Sequence, residues 1–86
     1  MAKELVGEIT HYFNKIGVAV VALKAPLAIG DKITVESSEG KVLEQTVESM
    51  QIEHKTIEHA ETGMEVGLKV NGKVHAGNKV YKITDE

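Results

Sequence analysis

The sequence predicts an all-β domain, a barrel or a sandwich of short antiparallel strands. Three observations carry that expectation. Apolar and polar residues alternate over short runs, as in Lys32-Ile33-Thr34-Val35-Glu36 and Met64-Glu65-Val66-Gly67-Leu68-Lys69-Val70, the two-residue period of a strand with one buried face. Three of the runs are entered through glycine pairs, at Gly30-Asp31, Thr62-Gly63 and Gly77-Asn78, which are turn chemistry. No stretch sustains the i, i+3, i+4 apolar stripe of an amphipathic helix. With 86 residues the chain is expected to be one domain, 1–86, and closing its sheet would hide the strand edges of so small a core.

The elements follow in order. Leu5 to Phe13 reads as a first strand, with Gly7 marking a bulge or a close backbone approach. Asn14-Lys15 is a turn signal. Ile16 to Leu23 is apolar on both faces, as in a strand whose outer face is covered. Lys24 to Gly30 is a connection, because Pro26 cannot donate to a sheet ladder. Lys32 to Glu36 is a strand, Ser37-Ser38-Glu39-Gly40 a turn, and another strand starts near Val42. Val42 to Ala60 is ambiguous. Its Leu, Gln, Glu, Met and Lys content favours helix, but its apolar positions fit two strand pieces with a phase slip between Val47 and Met50, as a bulge would produce. Asn71-Gly72 is a hairpin-type signal, and Gly77-Asn78 feeds a last strand from Lys79 to Ile83.

Composition narrows the function. There is no cysteine, so disulfides and thiolate chemistry are excluded. The longest apolar run, Gly17 to Leu23, is far too short to span a bilayer, and Met1-Ala2-Lys3-Glu4 carries no signal core; a cytoplasmic, membrane-independent protein is expected. The formal net charge of −3 is unevenly spread. Glutamates crowd positions 44–65, whereas 66–84 hold Lys69, Lys73, Lys79 and Lys82 without an acid. The chain lacks arginine, the planar fork best suited to phosphate and guanine.

Several pieces in order form a pattern: Leu27-x-x-Gly30-Asp31-x-Ile33, Val47-x-Ser49-Met50-x-Ile52, Ala60-x-x-Gly63-x-x-Val66-Gly67-Leu68 and Gly77-x-x-Val80. Over roughly residues 5–84 this resembles domain 2 of the translational GTPases, such as elongation factor Tu. The runs Ile9 to Phe13 and Glu48 to Lys55 resemble the stand-alone translation elongation factor-like proteins more closely still. C-terminal domains of some collagenase-like peptidases have a similar barrel. The resemblance implies a small closed antiparallel β-barrel of six or seven strands, the reductase/isomerase/elongation factor common domain. Without a G-x-x-x-x-G-K-S/T loop, nucleotide hydrolysis is not expected. The tRNA-contacting glutamate, arginine and asparagine of that family fall on Gln51, His54 and Glu65, none retained in kind.

The remaining candidates are weighed against ordinary roles. His54 and His59, with Glu53 and Glu58, contain metal-ligand chemistry, yet a five-residue spacing puts the two rings on opposite sides of a strand. Surface histidines are the simpler reading, and no metal or cofactor is expected. No G-x-S-x-G context surrounds a serine, so the chain is not expected to be an enzyme. Phe13 is expected in the core, leaving Tyr12 or His11 as a base-stacking platform. The main expectation is a non-catalytic binding module contacting RNA or a tRNA end through Gln51, His54, Lys55, Glu65 and Tyr12. The alternative is a protein-interaction module that docks on a partner enzyme, or on itself, through an outward strip of Ala19, Val21 and Leu23.

Overall fold

The computed structural model describes residues 2–53 and 55–84. The strands are β1 (Ala2–Phe13), β2 (Val18–Leu23), β3 (Leu27–Ala28), β4 (Lys32–Ser37), β5 (Gly40–Thr46), β6 (Met50–Ile52), β7 (Lys55–Ile57), β8 (His59–Ala60), β9 (Glu65–Lys69) and β10 (Lys79–Thr84). Among the described residues there is no helix; the stretch from Val42 to Ala60 holds β5 to β8 in place of the rival helix, and no helix is long and apolar enough to cross a membrane.

Eight strands form one antiparallel sheet in the order β5-β4-β10-β1-β2-β9-β6-β7, and β3 pairs separately with β8. The sheet wraps a core that includes Val6, Ile9, Val21, Ile33, Leu68 and Val80. It does not close, which corrects the expected six- or seven-stranded barrel. The cause lies at Val47-Glu48-Ser49. There the chain leaves the edge of β4, which β5 follows as far as Thr46, and crosses to β9, where β6 begins at Met50. The phase slip in this stretch is therefore a crossover between two sheet edges rather than a bulge, with Val47 and Met50 both buried beside the gap.

A side chain spans the open seam. Gln45 of β5 is nearly buried. Its amide nitrogen donates to the Lys69 carbonyl at 2.8 Å, and its amide oxygen accepts from the Asn71 N–H at 2.7 Å. A buried glutamine must be paired, and these two bonds hold β5 against the end of β9 where a backbone ladder would run in a closed barrel.

β1 is central because it pairs with β10 and β2 along most of its length. Its register shifts between Leu5 and Gly7 on one side and between Ile9 and His11 on the other. Each shift resets which residue faces inward, so the buried set runs Val6, Ile9 and, packed against the core, Tyr12. That corrects the expected placement of Phe13, which is exposed. Gly7 meets both expectations made of it: it sits at a shift, and a Cβ there would lie 2.6 Å from the Ala22 carbonyl oxygen.

The three glycine pairs share one geometry. The residue after each glycine donates to the carbonyl three positions earlier: Asp31 to Ala28, Met64 to Glu61, Asn78 to His75. The glycines Gly30, Gly63 and Gly77 have φ of 96°, 92° and 97°, the left-handed third position of a type II turn. Asn71-Gly72 behaves otherwise. Neither residue takes the positive φ of a type I′ hairpin, and residues 70–78 form a loop that buries Val74 and carries the chain to β10, between β1 and β4.

Candidate docking groove

The outer face of β2, β9 and β6 forms a shallow groove. Alternation in β2 buries Ala19, Val21 and Leu23 and leaves Val18, Val20 and Ala22 half-exposed. In β9 it buries Val66 and Leu68 and turns Glu65, Gly67 and Lys69 outward. The registers place Val18 beside Lys69, Val20 beside Gly67 and Ala22 beside Glu65, with Gln51 of β6 across Gly67 on its other side. Gly67 supplies the floor because it has no side chain; a Cβ there would stand 3.0 Å from Val18 Cγ1 and 3.4 Å from Gln51 Cγ.

The β1–β2 turn raises one wall. Phe13 and Ile16 are 50% and 58% exposed, a large apolar area left to water beside an apolar floor. The Phe13 ring stacks on His11, with centroids 6.1 Å apart and 25° between planes. Together with Val18, Val20 and Ile52 they enclose a groove of about 380 Å³, with Glu53 and Glu65 at one end. The adjoining hollow at the other end reaches Ile16, Val18 and Lys69, and Lys15 lies against Phe13 and Ile16.

Four ion pairs lie away from the groove. Lys79 donates to Glu8 at 2.7 Å and Lys3 to Glu36 at 2.8 Å. The Lys79 hydrogen bond and charge hold the Glu8 carboxyl below its usual range, and Glu8 in turn raises Lys79. The hydrogen bond to Glu36 raises Lys3 in the same way. Lys82 approaches Asp31 and Lys41 approaches Glu44. Among the described residues, none of Glu53, Glu65, Lys15 and Lys69 takes part in an ion pair.

The expected site residues divide accordingly. Gln51 and Glu65 come together in the groove. Lys55 lies on β7, across the β6–β7 hairpin, and is exposed. Tyr12 is turned to the core, and His54 lies outside the described residues. Ala19, Val21 and Leu23 are core, not surface, so the outward residues of this strand are Val18, Val20 and Ala22, in the opposite phase. Phe13, Ile16, Ile52 and Glu53 were not foreseen. β2 is apolar on both faces, so its own sequence could not set its phase, but its pairing with the well-alternating β9 does.

No family model matches the chain. Its relatives are nonetheless informative. It is 36% identical over 80 residues to an uncharacterised protease of Methanocaldococcus jannaschii, which takes in 93% of this chain and 20% of the protease. It is 33% identical over 81 residues to a collagenase of Porphyromonas gingivalis, covering 93% of this chain and 22% of the collagenase. The chain thus spans about a fifth of the length of these relatives. Two crystal structures of the C-terminal domain of a Geobacillus thermoleovorans protein assigned to the U32 peptidases share the fold at 22% identity. Their TM-scores are 0.83 and 0.85, and they cover 90% and 94% of this chain and 96% and 93% of theirs.

The relatives found are named as a protease and a collagenase, not translation factors. This overturns the likeness to translation elongation factor-like proteins, and with it the expected role in protein biosynthesis and RNA binding. The reason is visible in the residues that carried that likeness. Leu27, Ile33, Val47, Met50, Ala60 and Val80 are buried core, and Gly30, Gly63 and Gly77 are turn glycines. They specify how a curved sheet is built, which unrelated functions share. The groove also argues against RNA on its own terms, since Glu53 and Glu65 flank Gln51 there and would repel phosphate.

Proposed function

We propose that this chain is a non-catalytic protein-docking module of the kind that peptidases carry, and that the β2–β9–β6 groove is its contact surface. The observation that carries the reading is the pattern of similarity. Nearly all of this chain matches only about a fifth of each protease, as one module of a larger machine would. The groove supplies the means. Phe13 and Ile16 expose apolar area beside Val18 and Val20, and contiguous apolar patches of this kind mark contact sites. The role is to hold protein against protein, with bond cleavage left to other segments.

A graft tests this. In the Porphyromonas gingivalis collagenase, the matched segment is deleted or replaced by this chain, and gelatin cleavage is measured. Deletion is expected to abolish cleavage, the graft to restore a substantial part of it, and a graft carrying Val20→Glu to fail. Full cleavage by the deletion variant would sink the reading, as would proteolysis by this chain alone.

A further inference from the structure

We infer that the occupant of the groove is a second copy of this chain, packed face to face with its strands antiparallel; this rests on reading the groove as a protein-contact surface. The argument comes from the placement of charge. Along the outer face of β9 the sequence runs Glu65, Gly67, Lys69, a separation of about 13 Å between acid and base at strand rise. Glu53 reinforces the acidic end. Neither end is neutralised within the described residues. Between them the face is Val18, Val20 and the bare backbone of Gly67.

Such a row complements itself under one operation. A twofold axis running across the strands, along the line Val20–Gly67–Gln51 set by the registers, reverses the strand direction and keeps each strand over its own counterpart. Glu65 of one copy then stands over Lys69 of the other, twice by symmetry, and Val20 packs on Val20. A twofold axis along the strands would instead put lysine on lysine. Isologous contacts must be self-complementary in this sense, and here only one of the two ways of stacking the faces is. Gly67 lies on the axis, where its absent side chain leaves room between the Val20 and Gln51 contacts.

Area sets the strength. A standard interface buries about 800 Å² per partner, about 15% of this molecule's 5301 Å² surface. The molecule measures 33 × 25 × 20 Å, so its broad face must be largely covered to reach that figure. The dimer is therefore expected to be weak, with a Kd of about 10–100 μM.

Sedimentation equilibrium on the free chain, from low micromolar to about 1 mM, reads this out. A monomer–dimer equilibrium is expected. Val20→Glu should weaken it more than tenfold while leaving the circular dichroism melting curve near that of the parent, because Val20 faces away from the core. Glu65→Lys should weaken it several-fold, and Glu65→Lys with Lys69→Glu should restore it, since the double reversal is again self-complementary. A monomer at every concentration would overturn the inference, as would a dimer indifferent to Val20→Glu and to charge reversal. The collagenase graft separates this failure from that of the parent reading. If the free chain is monomeric but Val20→Glu still disables the graft, a protease segment occupies the groove. If neither assay responds, the groove is not a contact surface.

Discussion

The two halves of the molecule are built differently. In one, β1, β10, β4 and β2 are joined by ladders of five or six paired residues. In the other, β6 meets β9 at only two positions, β6 and β7 at three, and β3 and β8 at two. The first half is held by backbone and by Val6, Ile9, Ile33 and Val80 in the core. The second is held by single buried side chains such as Met50 and Ala60 and by the Gln45 bridge. The groove straddles the boundary, with β2 and β9 on the firm side and β6 on the loose side. A contact surface laid across such a boundary has a rigid floor and an adjustable wall.

The largest test of this contrast is Gly7→Val. The obstructing atom is a backbone oxygen 2.6 Å away, which cannot swing aside, so we expect a cost of at least about 3 kcal/mol and loss of the folded state in urea titrations. Ile33→Ala in the same half should cost about 2–5 kcal/mol by the same measurement. Gln45→Met, of similar length, strands the Lys69 carbonyl and the Asn71 N–H. It should cost about 1–3 kcal/mol and speed hydrogen exchange in β6 and β7 more than in β1. Equal acceleration everywhere would erase the distinction between the halves. Gly67→Ala meets a methyl rather than a backbone atom at 3.0 Å and should cost roughly 1 kcal/mol or less.

The smallest effect belongs to Lys79→Gln. Glu8 is depressed, so its share of stability is present above the ordinary carboxylate pKa and is lost as pH falls through the lowered folded value. Lys79 is raised, so its share is present below the ordinary lysine pKa and is lost as pH rises through the raised value. The difference in melting temperature between parent and variant should therefore be greatest between those limits and vanish at both extremes. It should stay small, because both side chains are well exposed to solvent screening.

Much of the fold was legible in the sequence because turns and alternation are local. The three glycine pairs announced three left-handed turns, and β9 announced its faces residue by residue, whereas in β4 Thr34 is buried between Ile33 and Val35 against the alternation. What was not legible depended on distant partners. The phase of β1 beyond Ile9 is set by a shift against β2, so Phe13 and Tyr12 exchanged places. Whether the slip after Val47 was a bulge or a crossover depended on β9, some twenty residues later. The groove suffered in the same way: its Phe13 wall needed the shift of β1 against β2, and its Val18–Val20 floor needed the register of β2 on β9.

One consequence of the Gln45 bridge reaches past stability. A barrel closed by a backbone ladder opens only by breaking a row of bonds together. Here, among the described residues, the seam between β5 and the end of β9 is bridged by the Gln45 side chain with Leu43 standing against Gly72 beside it, and rotation about the Gln45 torsions releases the polar part of that closure. The loop bearing Asn71 is still anchored by buried Val70 and Val74, so what loosens is the seam and not the long-ladder half. The seam is, in effect, a polar latch laid over an apolar seal, and the two can be weakened separately.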